Sequence, residues 1–244
     1  MKPQYYFGRT VAREIDYFAY PRTGSHLLRY CTQGLFDLVA VAGPALGSAE
    51  AVDRQREVNP GALYALDLRE DGVPYAPVLF HTRITGQHGR PVKRENPTVI
   101  LQRDAMPTIY SYYRVQRDRW GWGARAPEPR AWAREKLDEH RGFYDAAAAL
   151  KREHPGTTLI IRYEDLTAGP APLRALVQLV GVRPKLSPEF VHGITRFDSF
   201  VAGDPAARTF YREGDNDAWK RDAQWRDLIG DLAPAAATTT GAPA

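Results

Sequence analysis

Apolar residues along this chain fall into two rhythms, and the places where one gives way to the other mark its elements. Ile15, Tyr17, Phe18 and Ala19 lie in a short aromatic and branched run that predicts a buried strand over 15–20. Leu27, Leu28, Cys31, Leu35 and Leu38 then recur at helical spacing, which predicts a helix over 25–38. A loop-rich stretch at 42–59 and an apolar segment at 62–66 follow. Residues 77–81 read as a short strand ending at His81, and 86–96 as a polar loop. The unbroken apolar run at 98–102 suits a strand covered on both faces, in the middle of a parallel sheet. A helix is predicted over 105–117, a break at 119–123, and then a long helix opened by Pro127 and Pro129 that runs to about Glu153. Residues 157–162 give a fourth strand and 172–180 a further helix. From Ala233 onward the chain is Ala, Pro, Thr and Gly, a low-complexity tail that need not fold.

Strands alternating with helices predict an α/β domain over 1–232, built on a central, mostly parallel sheet flanked by helices, with the tail at 233–244. The 244 residues, 43% hydrophobic and 25% charged, are those of an ordinary soluble globular protein. No apolar run approaches the ~20 residues of a membrane span. The N-terminus lacks the apolar core of a signal peptide, so a cytoplasmic location is expected. The single cysteine, Cys31, forbids an internal disulfide and falls on the apolar face of the first helix, a core position. The net charge of +4 changes the picture little. Its arginines are interleaved with acids and no basic stripe with interleaved aromatics appears, so no nucleic-acid partner is expected. Retention of a small, multiply charged anion accounts for the excess.

Three segments carry candidate chemistry. In the first, Tyr20 to His26, the predicted strand turns into the predicted helix through a proline, a basic residue, a glycine and two hydroxyls. A phosphate cradle needs those features: a tight turn, free N–H groups at a helix N-terminus, hydroxyl donors and a cation. An ordinary strand-to-helix turn would look similar. In the second, Arg103 lies just beyond the apolar strand, at the end where open α/β sheets place ligands, and Ser111 lies two turns into the next helix. That pair can grip one anionic group; alternatively Arg103 pairs with Asp104 or Glu164. In the third, Arg212 and Gly214 precede an acidic turn and Trp219-Lys220, which can lay a guanidinium and backbone N–H groups over a phosphate, or can be a surface loop.

In this order and spacing, the three segments resemble the sulfotransferases that use 3′-phosphoadenosine 5′-phosphosulfate, over about 15–220 of the chain. The family's YPKSGTTW loop reads YPRTGSHL at 20–27. Its strand ending in Arg with Ser eight residues later is matched by Arg103 and Ser111. Its RKGxxGDWK loop is matched from Arg212 to Lys220, and its YED segment by Tyr163-Glu164-Asp165. The resemblance implies that the amides of Thr23, Gly24 and Ser25, with the Ser25 and His26 side chains, hold the donor's 5′-phosphate. It implies that Arg22 stabilises charge on the leaving group, and that Arg103, Ser111, Arg212 and Gly214 hold the 3′-phosphate. Thr195, Phe197 and Tyr163 match residues beside adenine. His81 matches the general base, a role that suits the side chain whose ordinary pKa lies nearest neutrality. The chain departs from the family at Arg22 for lysine, Leu27 for tryptophan, Leu79 for a second catalytic lysine and Glu213 for lysine.

The expected activity is therefore transfer of a sulfonate group, without a metal, to a hydroxyl of a small-molecule acceptor. A natural product is the first expectation for that acceptor and a carbohydrate the second. The aromatic residues at 110–113, 120–122 and 143–144 either line the acceptor pocket or belong to the core. A P-loop nucleotide-dependent kinase is the main alternative, although the chain has no G-x-x-x-x-G-K-[ST]. An inactive nucleotide-binding member of the fold is another.

Overall fold

The computed structural model describes residues 5–6, 9–10, 13–36, 38–42, 78–84, 91–93, 95–118, 128–195 and 216–229. A two-residue hairpin, β1 (Tyr5–Tyr6) with β2 (Arg9–Thr10), precedes β3 (Arg13–Ala19), the central strand. Helix α1 (Ser25–Leu35) follows, then β4 (Leu38–Ala42), β5 (Val78–Ile84) and β6 (Thr98–Gln102). Next come α2 (Ala105–Asp118), α3 (Pro129–Glu153), β7 (Thr158–Arg162), α4 (Tyr163–Ala168), α5 (Ala171–Val180) and α6 (Pro188–Ile194). Two short helices, α7 (Ala218–Arg221) and α8 (Ala223–Ile229), complete the described elements. Strands β3 to β7 form a five-stranded sheet in the order β4-β5-β3-β6-β7, with every pair parallel. The protein is thus an α/β domain with a central parallel sheet between two layers of helices.

The period of two along β3 and β6 builds both layers. Ile15, Tyr17, Ala19, Val99 and Leu101 face one way and pack with Leu28 and Leu35 of α1, Leu173 and Leu176 of α5 and Val191 of α6. Phe18, Tyr20 and Ile100 face the other way, into Ile109 and Tyr113 of α2, Leu137 and Tyr144 of α3 and Trp225 of α8. Both faces of these two strands are buried over 15–20 and 98–101, as suits the middle of a parallel sheet. Helix α3 starts where the prolines predict: Glu128 accepts from the Arg130 and Ala131 amides at 2.9 and 2.6 Å, with Pro129 in the first turn. Those two bonds hold the Glu128 carboxyl below its ordinary range.

Two predicted boundaries need correction. The first helix stops at Leu35, not Leu38. Phe36 is extended, its N–H closes the last turn on the Thr32 carbonyl at 2.9 Å, and the Leu35 carbonyl accepts from the Lys185 amide at 2.7 Å. Leu38 instead opens strand β4 on the far side of β5. The strand predicted to end at His81 runs on to Ile84, because Thr82, Arg83 and Ile84 continue the ladder beside Tyr17, Phe18 and Ala19. The segments predicted at 42–59 (beyond Ala42), 62–66 and 119–123, and the tail at 233–244, lie outside the described residues. Among the described residues, no helix is long and apolar enough to cross a membrane.

Candidate functional site

Register brings the first two candidate segments and the start of the Tyr163-Glu164-Asp165 segment to one edge of the sheet. Ala19 of β3 lies level with Leu101 of β6 and Ile84 of β5, and Gln102 lies level with Arg162 of β7. The residues that follow these strands, 20–25 after β3, Arg103 after β6 and Tyr163 after β7, therefore leave from the same carboxyl edge. They do so where the chain order reverses, since β3 has β5 on one side and β6 on the other. Open α/β sheets form their ligand crevice at such a point.

The turn after β3 is shaped by its own hydrogen bonds. The Thr23 amide and hydroxyl both donate to the Tyr20 carbonyl, at 3.4 and 2.8 Å, and Thr23 is fully buried. Two left-handed residues then aim the chain into α1: Arg22 at φ 68° and Gly24 at φ 96°. Gly24 caps α1 without a side-chain bond, and the first helical bond runs from the Leu28 amide to the Gly24 carbonyl at 3.2 Å. The amides of Ser25, His26 and Leu27 precede that bond and point out of the helix end, a geometry that receives anions. A Cβ on Gly24 would collide with the Tyr163 ring. Glycine is required there twice over, by its φ and by the ring.

Arg22, Ser111 and Arg103 converge on this turn. Arg22 Nε donates to Ser111 Oγ at 3.3 Å, and Arg103 Nη1 donates to the Arg22 carbonyl at 3.1 Å. The Arg103 guanidinium lies over the Tyr163 ring, 4.4 Å from its centre, so Tyr163 sits between the glycine turn and the cation. Burial pushes the Arg103 pKa down, against the pull of Tyr163, Glu164 and Asp104; an arginine so placed stays charged. The two carboxylates offered by sequence as Arg103 partners are engaged by Arg162, at 3.0 Å to Asp104 and 3.7 Å to Glu164. Glu164 also accepts from the Asp104 amide at 3.1 Å.

Two residues beneath Arg103 carry no sequence motif. His140 of α3 donates from Nε2 to the Arg103 carbonyl at 3.0 Å; the acceptor can only be a carbonyl, so the proton must be on that nitrogen. Burial holds its pKa down at about 4, so the ring is neutral. The ring is buried against Tyr20 and Tyr144. One turn on, the Tyr144 hydroxyl donates to the Leu101 carbonyl at 2.9 Å. His140 and Tyr144 meet edge to face, with ring centres 4.6 Å apart. The sequence trace of His140 is its four-residue spacing from Tyr144, one of the aromatic candidates at 143–144.

The other candidates are placed less centrally. Thr195 ends α6 with its hydroxyl donating to the Val191 carbonyl at 2.7 Å, and the Cys31 thiol lies 3.4 Å from it. Cys31 is buried in the core, which pushes its thiol up to about 12. His26 and His81 are described by backbone alone. His81 is level with Asp16 and Val41, three residues short of the carboxyl edge, about 10 Å along the strand. Phe197, Arg212 and Gly214 lie outside the described residues, as do 120–122. Of the remaining aromatic segments, Tyr110, Tyr113, Phe143 and Tyr144 are buried in the core beside Trp132 and Trp225.

No protein-family model and no curated protein sequence matches this chain. Solved structures do. Mouse sulfotransferase SULT7A1 complexed with PAP superposes with a TM-score of 0.60 at 14% identity, covering 94% of this chain and 86% of that one. Retinol dehydratase, in complex with androsterone and the inactive cofactor PAP, gives 0.53 at 15% identity, covering 95% and 82%. The chain has the fold of these sulfotransferases.

Proposed function

We propose that this protein is a sulfotransferase that moves a sulfonate group from 3′-phosphoadenosine 5′-phosphosulfate to a hydroxyl of a small-molecule acceptor. The observation that carries the reading is the meeting of Arg22 of the first segment with Ser111 and Arg103 of the second, at the carboxyl edge of β3. The PAP carried by the two solved structures named above supports a donor of this type. The residues present fit such a donor: an uncapped helix N-terminus behind a glycine that no larger residue can replace, and two guanidinium groups beside it.

In this reading the donor supplies the sulfonate group, bound to a phosphate oxygen that becomes the leaving atom. The amides opening α1, with Ser25 and His26, hold the 5′-phosphate. Arg22 stabilises the charge that develops on the leaving oxygen, usually a large share of catalysis. Its left-handed backbone is strained by about 1–2 kcal/mol for a residue with a Cβ, and the Arg103 bond to its carbonyl holds it there. Arg103 and Ser111 hold the 3′-phosphate, joined by Arg212 and Gly214. Tyr163, Thr195 and Phe197 border adenine. His81 takes the acceptor's hydroxyl proton. We place the enzyme in the cytoplasm, with a natural product as acceptor ahead of a carbohydrate.

The test is transfer of labelled sulfonate from the donor to a panel of hydroxyl acceptors. Arg22→Ala and His81→Ala should each lower kcat by about a hundredfold or more, the range of a lost electrostatic or acid–base contribution. Turnover confined to sugars would reverse the order of acceptors. Donor binding with no turnover on any acceptor would favour an inactive nucleotide-binding protein.

A further inference from the structure

Arg103 also has a partner in the Arg212 to Lys220 segment, Asn216, a residue to which the motif itself gives no role. Its Nε donates to Asn216 Oδ1 at 3.1 Å, and its Nη2 donates to the same oxygen. Both guanidinium nitrogens are donors, so the carboxamide must present its oxygen. Asn216 thus takes the side edge of the guanidinium, while the Arg22 carbonyl takes one Nη1 hydrogen. Among the described residues, this leaves Arg103 one N–H on each terminal nitrogen, donors of the kind that meet a phosphate.

Asn216 is itself held in place. It precedes α7 and α8, which are fastened to α2 by the Tyr110 hydroxyl donating to Asp222 at 3.0 Å. The buried Trp225 ring packs against Tyr110 and Tyr113, with centres 5.5 and 5.0 Å apart. The acceptor oxygen therefore comes from a seated segment, and the guanidinium plane is fixed on three sides by Asn216, the Arg22 carbonyl and the Tyr163 ring.

We infer that Asn216 is a positioning residue that sets the orientation of Arg103 and thereby the preference of the site for a 3′-phosphorylated nucleotide. The inference rests on the donor-site reading above, in which Arg103 meets the 3′-phosphate. Its readout is a ratio: the affinity for adenosine 3′,5′-bisphosphate over that for adenosine 5′-monophosphate, which lacks the 3′-group. A variant that merely loosened the fold would lower both affinities together.

The experiment measures both affinities by calorimetry on wild type, Asn216→Ala, Asn216→Asp and Arg103→Ala. Asn216→Ala is expected to lower the ratio by about tenfold while leaving the monophosphate affinity within about twofold. Asn216→Asp keeps the acceptor but adds a negative charge, so its ratio should fall further, and more at low salt than at high. If Asn216→Ala keeps the wild-type ratio while Arg103→Ala loses it, the inference is overturned and the donor site stands. If wild type shows no preference for the bisphosphate, both are overturned.

Discussion

Gly24 shows most directly how one residue sets the site. Its φ of 96° and the Tyr163 ring against its α-carbon leave no room for a side chain. Gly24→Ala should lose about 1–2 kcal/mol to backbone strain alone, with a further loss from the collision. We expect a clearly lowered melting temperature and bisphosphate affinity reduced by about tenfold or more. The double variant Gly24→Ala, Tyr163→Ala should regain part of the stability, since the collision is gone and the strain is not. Equal stability of the single and double variants would show that the ring is not the obstacle. Sequence named Gly24, Arg22 and Arg103 because each stands in a short motif with a mechanism. The Arg212 to Lys220 segment was named as well, but the roles of Asn216 within it and of His140 were not legible: they depend on contacts with Arg103 across 113 and 37 residues.

At the scale of elements, α3 is the support on which the end of β6 rests, and His140 makes that support sensitive to pH. Its folded pKa of about 4 lies below its ordinary 6.5, chiefly through burial. Between those values the unfolded chain binds the extra proton and the folded chain does not, so stability rises with pH across the window. Going down from 6.5 to about 4 this one group should remove up to ~3 kcal/mol, with no further loss below. The urea midpoint of wild type should therefore fall over that range more steeply than that of His140→Gln. Parallel curves would contradict the assignment. Elements with strong punctuation were legible, among them β6, α2, and α3 with its Glu128-Pro129 start. Strand β4 was not, because Leu38 continues the three-residue spacing from Leu35, and a short apolar run does not tell helix from buried strand. Pairing with β5 decides it. The far end of β5 is decided in the same way, by its partners on β3.

Over the whole molecule, one topological fact gathers the chemistry. Placing β3 between β5 and β6 puts the glycine turn, the end of β6 and the start of α4 within reach of one another, although they are far apart in sequence. The alternation of strands and helices made the parallel α/β class readable. The strand order was not readable, since it is written in pairings rather than in local pattern. In the proposed reading, this edge binds a nucleotide carrying a 3′-phosphate through Arg103. The most direct test is calorimetric binding of adenosine 3′,5′-bisphosphate against ADP with magnesium, on wild type and Arg103→Ala. Tighter binding of the bisphosphate is expected, weakened in the variant by about 1.5–3 kcal/mol, roughly one to two decades of affinity. A preference for ADP with magnesium, indifferent to Arg103, would contradict it and point to a kinase.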